Sequence, residues 1–378
     1  MRILVFINNK LGTIDTVLPI LLEMKEKHDK KSYVILDQEL AYVGIKENIV
    51  INDIVNKIGT VIYLGKGINN KILRKIVVFI QIQRLIVYSL MGAKIIHFGR
   101  LDHGFLHSVF NIFSKNILFS QPLAFKYVGR KYRREFIGEK SAEFTGQSLI
   151  SPNGLMPDLE SINTINKKIY IFGPSRMRKT WLEHSYYIAE DYLKKSHPNI
   201  RCTDGYIVIV LFTFGPVDLL DGDETSKILL KDTLEIINEL YPDKNILIKP
   251  HVVTQLDVLN QIIKESGNQN IKITYLHPSV LSRFADMFIC NCYSNTLADA
   301  SSLGVTTIEY TKYKKYVLER TQGRSIGYHF VDYFIDNDKD LFKKTLKNIK
   351  TKKIPIDNPL LKNVLTDDPT GLLTELSN

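Results

Sequence analysis

Cysteine is scarce: Cys202, Cys290 and Cys292 are the only three in 378 residues. Three thiols make no disulfide framework, and no Cys/His cluster has zinc-ligand spacing. The chain therefore reads as a protein of a reducing compartment, with no metal site expected. A long uncharged apolar run is also missing. The nearest approach, Leu73–Met91, is broken by Arg74, Lys75, Gln81, Gln83 and Arg84. A membrane span needs roughly 20 residues with almost no charge. This stretch is therefore expected to be a helix buried against a sheet, with a helix lying on a membrane surface as the alternative. The opening MRILVFI is too short for a signal peptide and reads as a first buried strand. There is no internal repeat, no low-complexity linker and no signature of a nucleic-acid-binding module, so nucleic acid is the weakest class of partner.

What is present is enough chain for two domains of about 150–200 residues, with 44% apolar residues to fill their cores. The net charge is +10, from 50 Lys and Arg against 40 Asp and Glu. It is unevenly spread: Lys115–Lys140 holds seven basic and two acidic residues, and Lys312–Lys353 is rich in lysine. Such patches suit anionic substrates or anionic lipid. The Lys115–Lys140 stretch suggests a cytoplasmic enzyme resting on the inner face of the cell membrane, with an anionic membrane surface as a further partner; a solvated basic face is the plain reading.

Short β-branched runs alternate with amphipathic stretches, the pattern of parallel sheets covered on both faces. The first half offers strands at Ile3–Ile7, Ser32–Leu36, Val61–Leu64, Lys94–Phe98 and Lys168–Phe172, with a loop at 8–16 before a helix over Val17–Lys27. Ile188–Asp204 reads as the passage between lobes. The second half restarts with strands at Tyr206–Thr213, Asn245–Lys249, Ile271–Tyr275, Met287–Asn291 and Thr306–Tyr310. Helices are expected at Glu224–Tyr241, Leu256–Ser266, Pro278–Ala285 and Leu297–Leu303. The fold class is α/β, two Rossmann-like doubly wound domains over 1–190 and 205–335, followed by a helical extension over 336–378.

Ligands of open parallel sheets bind at the carboxyl ends of the strands, which directs attention to the residues just past each strand of the second half. Lys249-Pro250-His251 puts a cation and an imidazole where a leaving phosphate needs its charge neutralised; a surface turn fixed by Pro250 is the plain reading. Ser294-Asn295-Thr296 opens a helix. Its hydroxyl and amide side chains cap that helix, and its amides and dipole attract phosphate. Glu309 ends a strand and is placed to accept hydrogen bonds from a ribose.

The order of these features matters. Lys-Pro-His is succeeded by a short helix ending in Ala285-Asp286, an apolar strand, Ser-Asn-Thr, Ala298-Asp299, and then Gly304 with Thr306-Thr-Ile-Glu-Tyr310. Over about residues 206–330 the sequence resembles the donor lobe of GT-B transferases that build bacterial surface polymers: the sialyl-, polysialyl- and Kdo-transferase type and the related CDP-glycerol glycerophosphotransferases. The resemblance implies two lobes facing across a cleft, the donor held in the second by a Lys/His-Pro element and a later Ser/Thr element. Here His251 is succeeded by Val252, while His277-Pro278 comes one strand later, so either histidine is a candidate for the donor phosphate, with His251 favoured. Tyr310, Tyr313 and Tyr316 with Arg320 and Arg324 resemble the segment that closes such a donor site. The first half would bind the acceptor. In the capsule and sialyltransferase families an acidic-acidic-glycine element supplies the base; the nearest match is Asp102-His103-Gly104, with Asp102 first and His103 second as base, and His107 one turn on. Asn9 and Gly12 of the first loop are further acceptor candidates, and Asp15 reads as a helix cap.

One signal competes. Gly173-Pro-Ser-Arg-Met-Arg-Lys179-Thr180 misses a phosphate loop by one residue, because Arg178 stands at the second glycine and obstructs the wrap around phosphate. Arg176, Arg178 and Lys179 remain as anion or interlobe contacts. The expected function is an inverting, metal-independent glycosyltransferase using a nucleotide-activated sugar, a CMP-linked acidic sugar first. It would act on a glycan or lipid-linked acceptor in capsule or lipopolysaccharide synthesis, with no cofactor beyond the donor. The alternatives are a CDP-alditol polyol-phosphate transferase, a nucleotide-sugar epimerase and a non-catalytic carbohydrate-binding protein.

Overall fold

Runs such as Leu4–Phe6 and Tyr206–Val210 are apolar on both faces, and only a sheet covered on both sides hides them. The computed structural model describes residues 2–7, 11–98, 101, 104–113, 118–120, 147–151, 168–173, 175–251, 253–349, 367–368 and 370–378. It divides into two compact units, Met1–Trp181 with Leu365–Asn378, and Leu182–Val364.

The first unit begins with β1 (Arg2–Phe6), α1 (Leu11–His28), β2 (Lys31–Leu36), α2 (Glu39–Glu47), α3 (Ile49–Ile58) and β3 (Gly59–Tyr63). It goes on through α4 (Lys71–Leu90), β4 (Lys94–His97), α5 (Gly104–Phe113), β5 (Leu118–Ser120), β6 (Ser148–Ser151) and β7 (Lys168–Ile171). The strands form one parallel sheet in the order β3-β2-β1-β4-β5-β6-β7. Helix α1 starts earlier than expected and takes in Asp15. That residue is not a cap; it pairs with Arg176 at 2.8 Å.

Helix α6 (Lys179–Ser196) leads into the second unit. Its first elements are β8 (Tyr206–Val210), α7 (Thr225–Leu240), β9 (Ile246–Lys249), α8 (Leu256–Ser266), β10 (Ile271–Ile273) and α9 (Pro278–Leu281). Next come β11 (Ala285–Cys290), α10 (Thr296–Ser302), β12 (Thr306–Thr311), α11 (Lys315–Thr321), β13 (Tyr333–Asp336) and α12 (Lys339–Asn348). This sheet is also wholly parallel, in the order β10-β9-β8-β11-β12-β13. Its core packs Ile207, Ile209, Ile248, Ile289 and Ile308 of the strands against Leu230, Leu234 and Ile237 of α7 and Phe342 of α12.

The extension expected at 336–378 is shared between the units: α12 belongs to the second, and α13 (Leu372–Ser377) to the first. In the first unit Glu375 accepts hydrogen bonds from Lys94 Nζ at 2.8 Å and Tyr170 Oη at 3.0 Å. The Asp368 carboxylate accepts from the amides of Leu372 and Leu373, capping that last helix.

The structure changes two sequence readings. Helix α4 buries Ile82, Leu85 and Ile86 but leaves much of its apolar surface exposed, so it is not the wholly buried helix expected. The near-miss phosphate loop is a structural joint. Arg178 is fully buried; its Nε and Nη2 donate to both oxygens of Glu23 at 3.0 and 2.9 Å, Nη1 donates to the carbonyl of Asp367, and the guanidinium lies 4.1 Å from the Phe172 ring centroid. Burial would raise the Glu23 pKa, but hydrogen bonds and charge from Arg178 and Lys27 hold it below the usual carboxylate value. The basic residues of Lys115–Lys140 all lie outside the described residues; of that stretch only Leu118–Ser120, in β5, is described. No helix among the described residues is long and apolar enough to cross a membrane.

Arg178→Ala removes the buried guanidinium and leaves Glu23, among the described residues, with only the half-exposed Lys27 as cation. It is expected to cost about 3 kcal/mol in urea unfolding. The paired swap Glu23→Leu with Arg178→Met is expected to recover most of it. A loss under about 1 kcal/mol for the single variant would show the joint to be dispensable.

Candidate functional site

In the second unit the strand order reverses between β8 and β11, so that β9 and β10 lie on one side of the reversal and β12 and β13 on the other. The carboxyl ends at such a reversal are where ligands of doubly wound sheets bind. Lys249, Val210, Cys290 and Glu309 stand in one register row across β9, β8, β11 and β12. The segments just past that row form the candidate site.

The turns after β8 and β9 are tied together. Thr254 Oγ1 donates to the Phe212 carbonyl and accepts from the His251 amide at 2.8 Å; the Thr254 amide donates to the His251 carbonyl at 2.9 Å. Gln255 Oε1 accepts from the Phe214 amide at 3.0 Å and from Thr213 Oγ1 at 3.2 Å. On this frame the exposed His251 ring leans on Phe212, centroids 5.1 Å apart. Beyond Gly215 the loop passes β11 to reach the segment after β12. Leu220 bridges Tyr313, Lys314 N donates to the Leu219 carbonyl, and Tyr316 Oη donates to the Asp218 carbonyl at 3.0 Å.

Glu309 is wholly buried, and both its oxygens are engaged: Tyr313 Oη donates to one and Ser325 Oγ to the other. Those hydroxyls in turn accept from the amides of Tyr293 at 3.1 Å and Gly327 at 3.0 Å. The carboxyl therefore fastens the loop after β11 and the 325–327 turn to β12. Gly327 is required: a Cβ there would sit 1.7 Å from Tyr293 Cε2. Burial pushes the Glu309 pKa up to about 7, against the lowering by the Ser325 and Tyr313 hydroxyls.

No protein-family model matches the sequence, and no curated protein matches it. Solved structures do. UDP-GlcNAc 2-epimerase from Neisseria meningitidis, bound to UDP-GlcNAc, matches with a TM-score of 0.56 at 12% identity, covering 100% of this chain and 97% of that one. The Methanocaldococcus jannaschii enzyme of that name gives 0.55 at 17% identity over 98% and 97% of the two chains. The Rickettsia bellii one gives 0.52 at 11% over 100% and 94%. The fold is GT-B.

Within this GT-B chain, Lys249, His251, Ser294, Asn295, Thr296 and Glu309 all fall at carboxyl ends of neighbouring strands in one unit. Strands β9 and β11 flank β8, so at about 4.8 Å per strand their ends lie about 10 Å apart. Helix α10 is only seven residues long, and its leading amides are already used. Ser294 Oγ accepts from the Thr296 amide at 3.3 Å, and the Ser294 and Asn295 carbonyls accept from the amides of Leu297 and Ala298. The cap is thus Ser294; the Asn295 side chain makes no cap bond. His277 is buried, and its Nδ1 caps α9 through the Ser279 amide at 3.1 Å, with Pro278 at the first helical position. Of the two histidines, only His251 is exposed at a strand end. Glu309, expected to accept from a ribose, instead holds two protein hydroxyls.

Of the tyrosines expected to close the site, Tyr310 stacks on Phe342 and donates to Asp232 at 3.2 Å, on the core side. Tyr313 serves Glu309, and Tyr316 holds the β8 loop. Arg320 lies 5.9 Å from the Tyr316 ring centroid, and the exposed Arg324 lies 5.7 Å from that of Tyr328. Asn9, Asp102 and His103 lie outside the described residues. Gly12 and His107 fall in α1 and α5. No group of three His, Cys, Asp or Glu side chains suited to a metal ion occurs among the described residues. Sequence reasoning missed the Thr254–Gln255 frame and Ser325. The hydroxyl three residues after His251 is a turn signal that marks the first of these.

Between pH 4.5 and about 7 an unfolded glutamate loses its proton while Glu309 in the fold keeps it, so stability falls as pH rises through that window, by about 3 kcal/mol. Glu309→Gln is expected to melt with a smaller decline from about pH 5 to about pH 8 than the parent. Equal declines would show that Glu309 ionises normally.

Proposed function

We propose that the protein is an enzyme of nucleotide-activated sugars, and that it transfers the sugar to an acceptor with inversion. The observation that carries this reading is the exposed His251 on its Thr254 and Phe212 frame, beside Lys249 at the carboxyl end of β9. A cation and an imidazole there suit the phosphate on which negative charge collects as the bond from the sugar carbon to the phosphate oxygen breaks. Ser294, Asn295 and Thr296, at the next strand end but one, supply side-chain hydroxyl and side-chain amide contacts to the same group. The acceptor hydroxyl attacks the sugar carbon and passes its proton to Asp102, with His103 as the other base, while Asn9, Gly12 and His107 serve the acceptor. Resemblance to the surface-polymer transferases favours a CMP-linked acidic sugar and a glycan or lipid-linked acceptor of capsule or lipopolysaccharide synthesis. His277 and Glu309 are assigned to holding the site's shape, and Arg324 keeps its place among the donor contacts.

A second reading is favoured by a specific finding. The three structures described above are UDP-GlcNAc 2-epimerases, alike over nearly the whole of both chains. An epimerase would convert a UDP-sugar with no acceptor present, and a transferase would not.

The test is a panel of CMP-, CDP- and UDP-linked sugars, monitored by NMR with and without acceptor glycans. Turnover that requires an acceptor is expected; conversion of a UDP-sugar alone selects the epimerase. His251→Ala is expected to lower kcat by roughly 10²–10³ with an unchanged melting temperature. Full activity in that variant would remove the phosphate role, and unfolding would make the histidine structural.

A further inference from the structure

Helix α4 carries two apolar faces where one would serve the core. Val78, Ile82, Leu85 and Ile86 pack on Leu4, Phe6, Tyr33 and Ile95 of the sheet. Along another side, Ile72, Ile76, Phe79, Ile80, Val87 and Leu90 recur at i, i+4, i+7, i+8, i+15 and i+18, spacings that fall on one stripe of a helix. They are exposed by 73, 52, 56, 59, 51 and 56%. Over 20 residues the stripe runs about 30 Å. The neighbouring α5 adds Phe105 and Ile112, seven residues apart and 66 and 74% exposed. An exposed apolar stripe of this length, interrupted by Gln83, marks an interaction face.

Charge identifies the occupant. Helix α4 has no acidic residue and four basic ones, Lys71, Arg74, Lys75 and Arg84, and none of these has a carboxylate partner among the described residues. Beside it an open cleft of about 280 Å³ is lined by Tyr63, Lys66, Gln81 and Arg84, which brings two cations to one opening. A second copy of this chain would set these cations against themselves. A leaflet with anionic headgroups over an acyl interior matches both the stripe and its flanks. We infer that α4 is a membrane-surface helix, its stripe sunk at the boundary of headgroups and acyl chains in an anionic leaflet. The chain docks there whatever reaction it performs.

The experiment is co-sedimentation of the full chain with phosphatidylcholine vesicles, with and without phosphatidylglycerol, at low and high salt. Binding to the phosphatidylglycerol vesicles is expected, weakening as salt screens the charges. The variants Ile76→Ser with Phe79→Ser, and Lys71→Gln with Lys75→Gln, are each expected to bind roughly tenfold more weakly, at an unchanged melting temperature because these side chains are exposed. The inference fails if the parent ignores anionic vesicles at low salt, or if the apolar variant binds them as the parent does. It also fails if light scattering shows that the parent, in place of binding vesicles, is a dimer that the apolar variant dissolves.

Discussion

Parallel strands are joined only by crossovers that carry the chain back to the same end of the sheet. All the segments that leave the carboxyl ends of a doubly wound sheet are therefore gathered at one rim. In the second unit the reversal of strand order, between β8 and β11, decides what can meet. Lys249 and His251 come from one side of it, Ser294 to Thr296 and the Glu309 network from the other. The β8 loop passes from the first side to the second and is stitched at Leu220 and Tyr313. Every chemical role proposed for the second unit depends on this topology.

The two units each bury a glutamate, and they solve its desolvation differently. Glu23 is met by the fork of Arg178 and keeps its charge. Glu309 has hydroxyl partners but, among the described residues, no cation, and burial raises its pKa to about 7. The first is an ion pair that locks α1 to the segment after β7. The second is a carboxyl that joins three loops around the candidate site by hydrogen bonds.

Most of the strand pattern could be read from the sequence, because central parallel strands are continuous Ile/Val/Leu runs. The edges and short elements were less visible. Strands β5, β6 and β13, with the sequences LFS, SLIS and YFID, are too brief or mixed to stand out. The exposed side of helix α4 is not legible, because an apolar stretch looks the same whether its second face meets protein or something else. Glu309 resembles a ligand contact in sequence because it ends a β-branched run; its hydrogen bonds link it to Tyr293, Tyr313 and Ser325, up to 16 residues away in sequence. The Gly173–Thr180 near-miss shows the reverse. Its failed position, Arg178, has a role of its own, and the pairing with Glu23 spans 155 residues, which no local pattern reveals.

A GT-B scaffold hosts more than one chemistry, so the fold leaves the reaction to the side chains at its strand ends. Among these, the pair after β9 is the one on which the proposed handling of the leaving group turns. The most direct test is a crystal structure of the full chain with a bound nucleotide or nucleotide sugar. The expected result is a phosphate oxygen within about 3 Å of both Lys249 Nζ and the His251 ring. A phosphate held elsewhere, with His251 still leaning on Phe212 and touching no ligand, would contradict it.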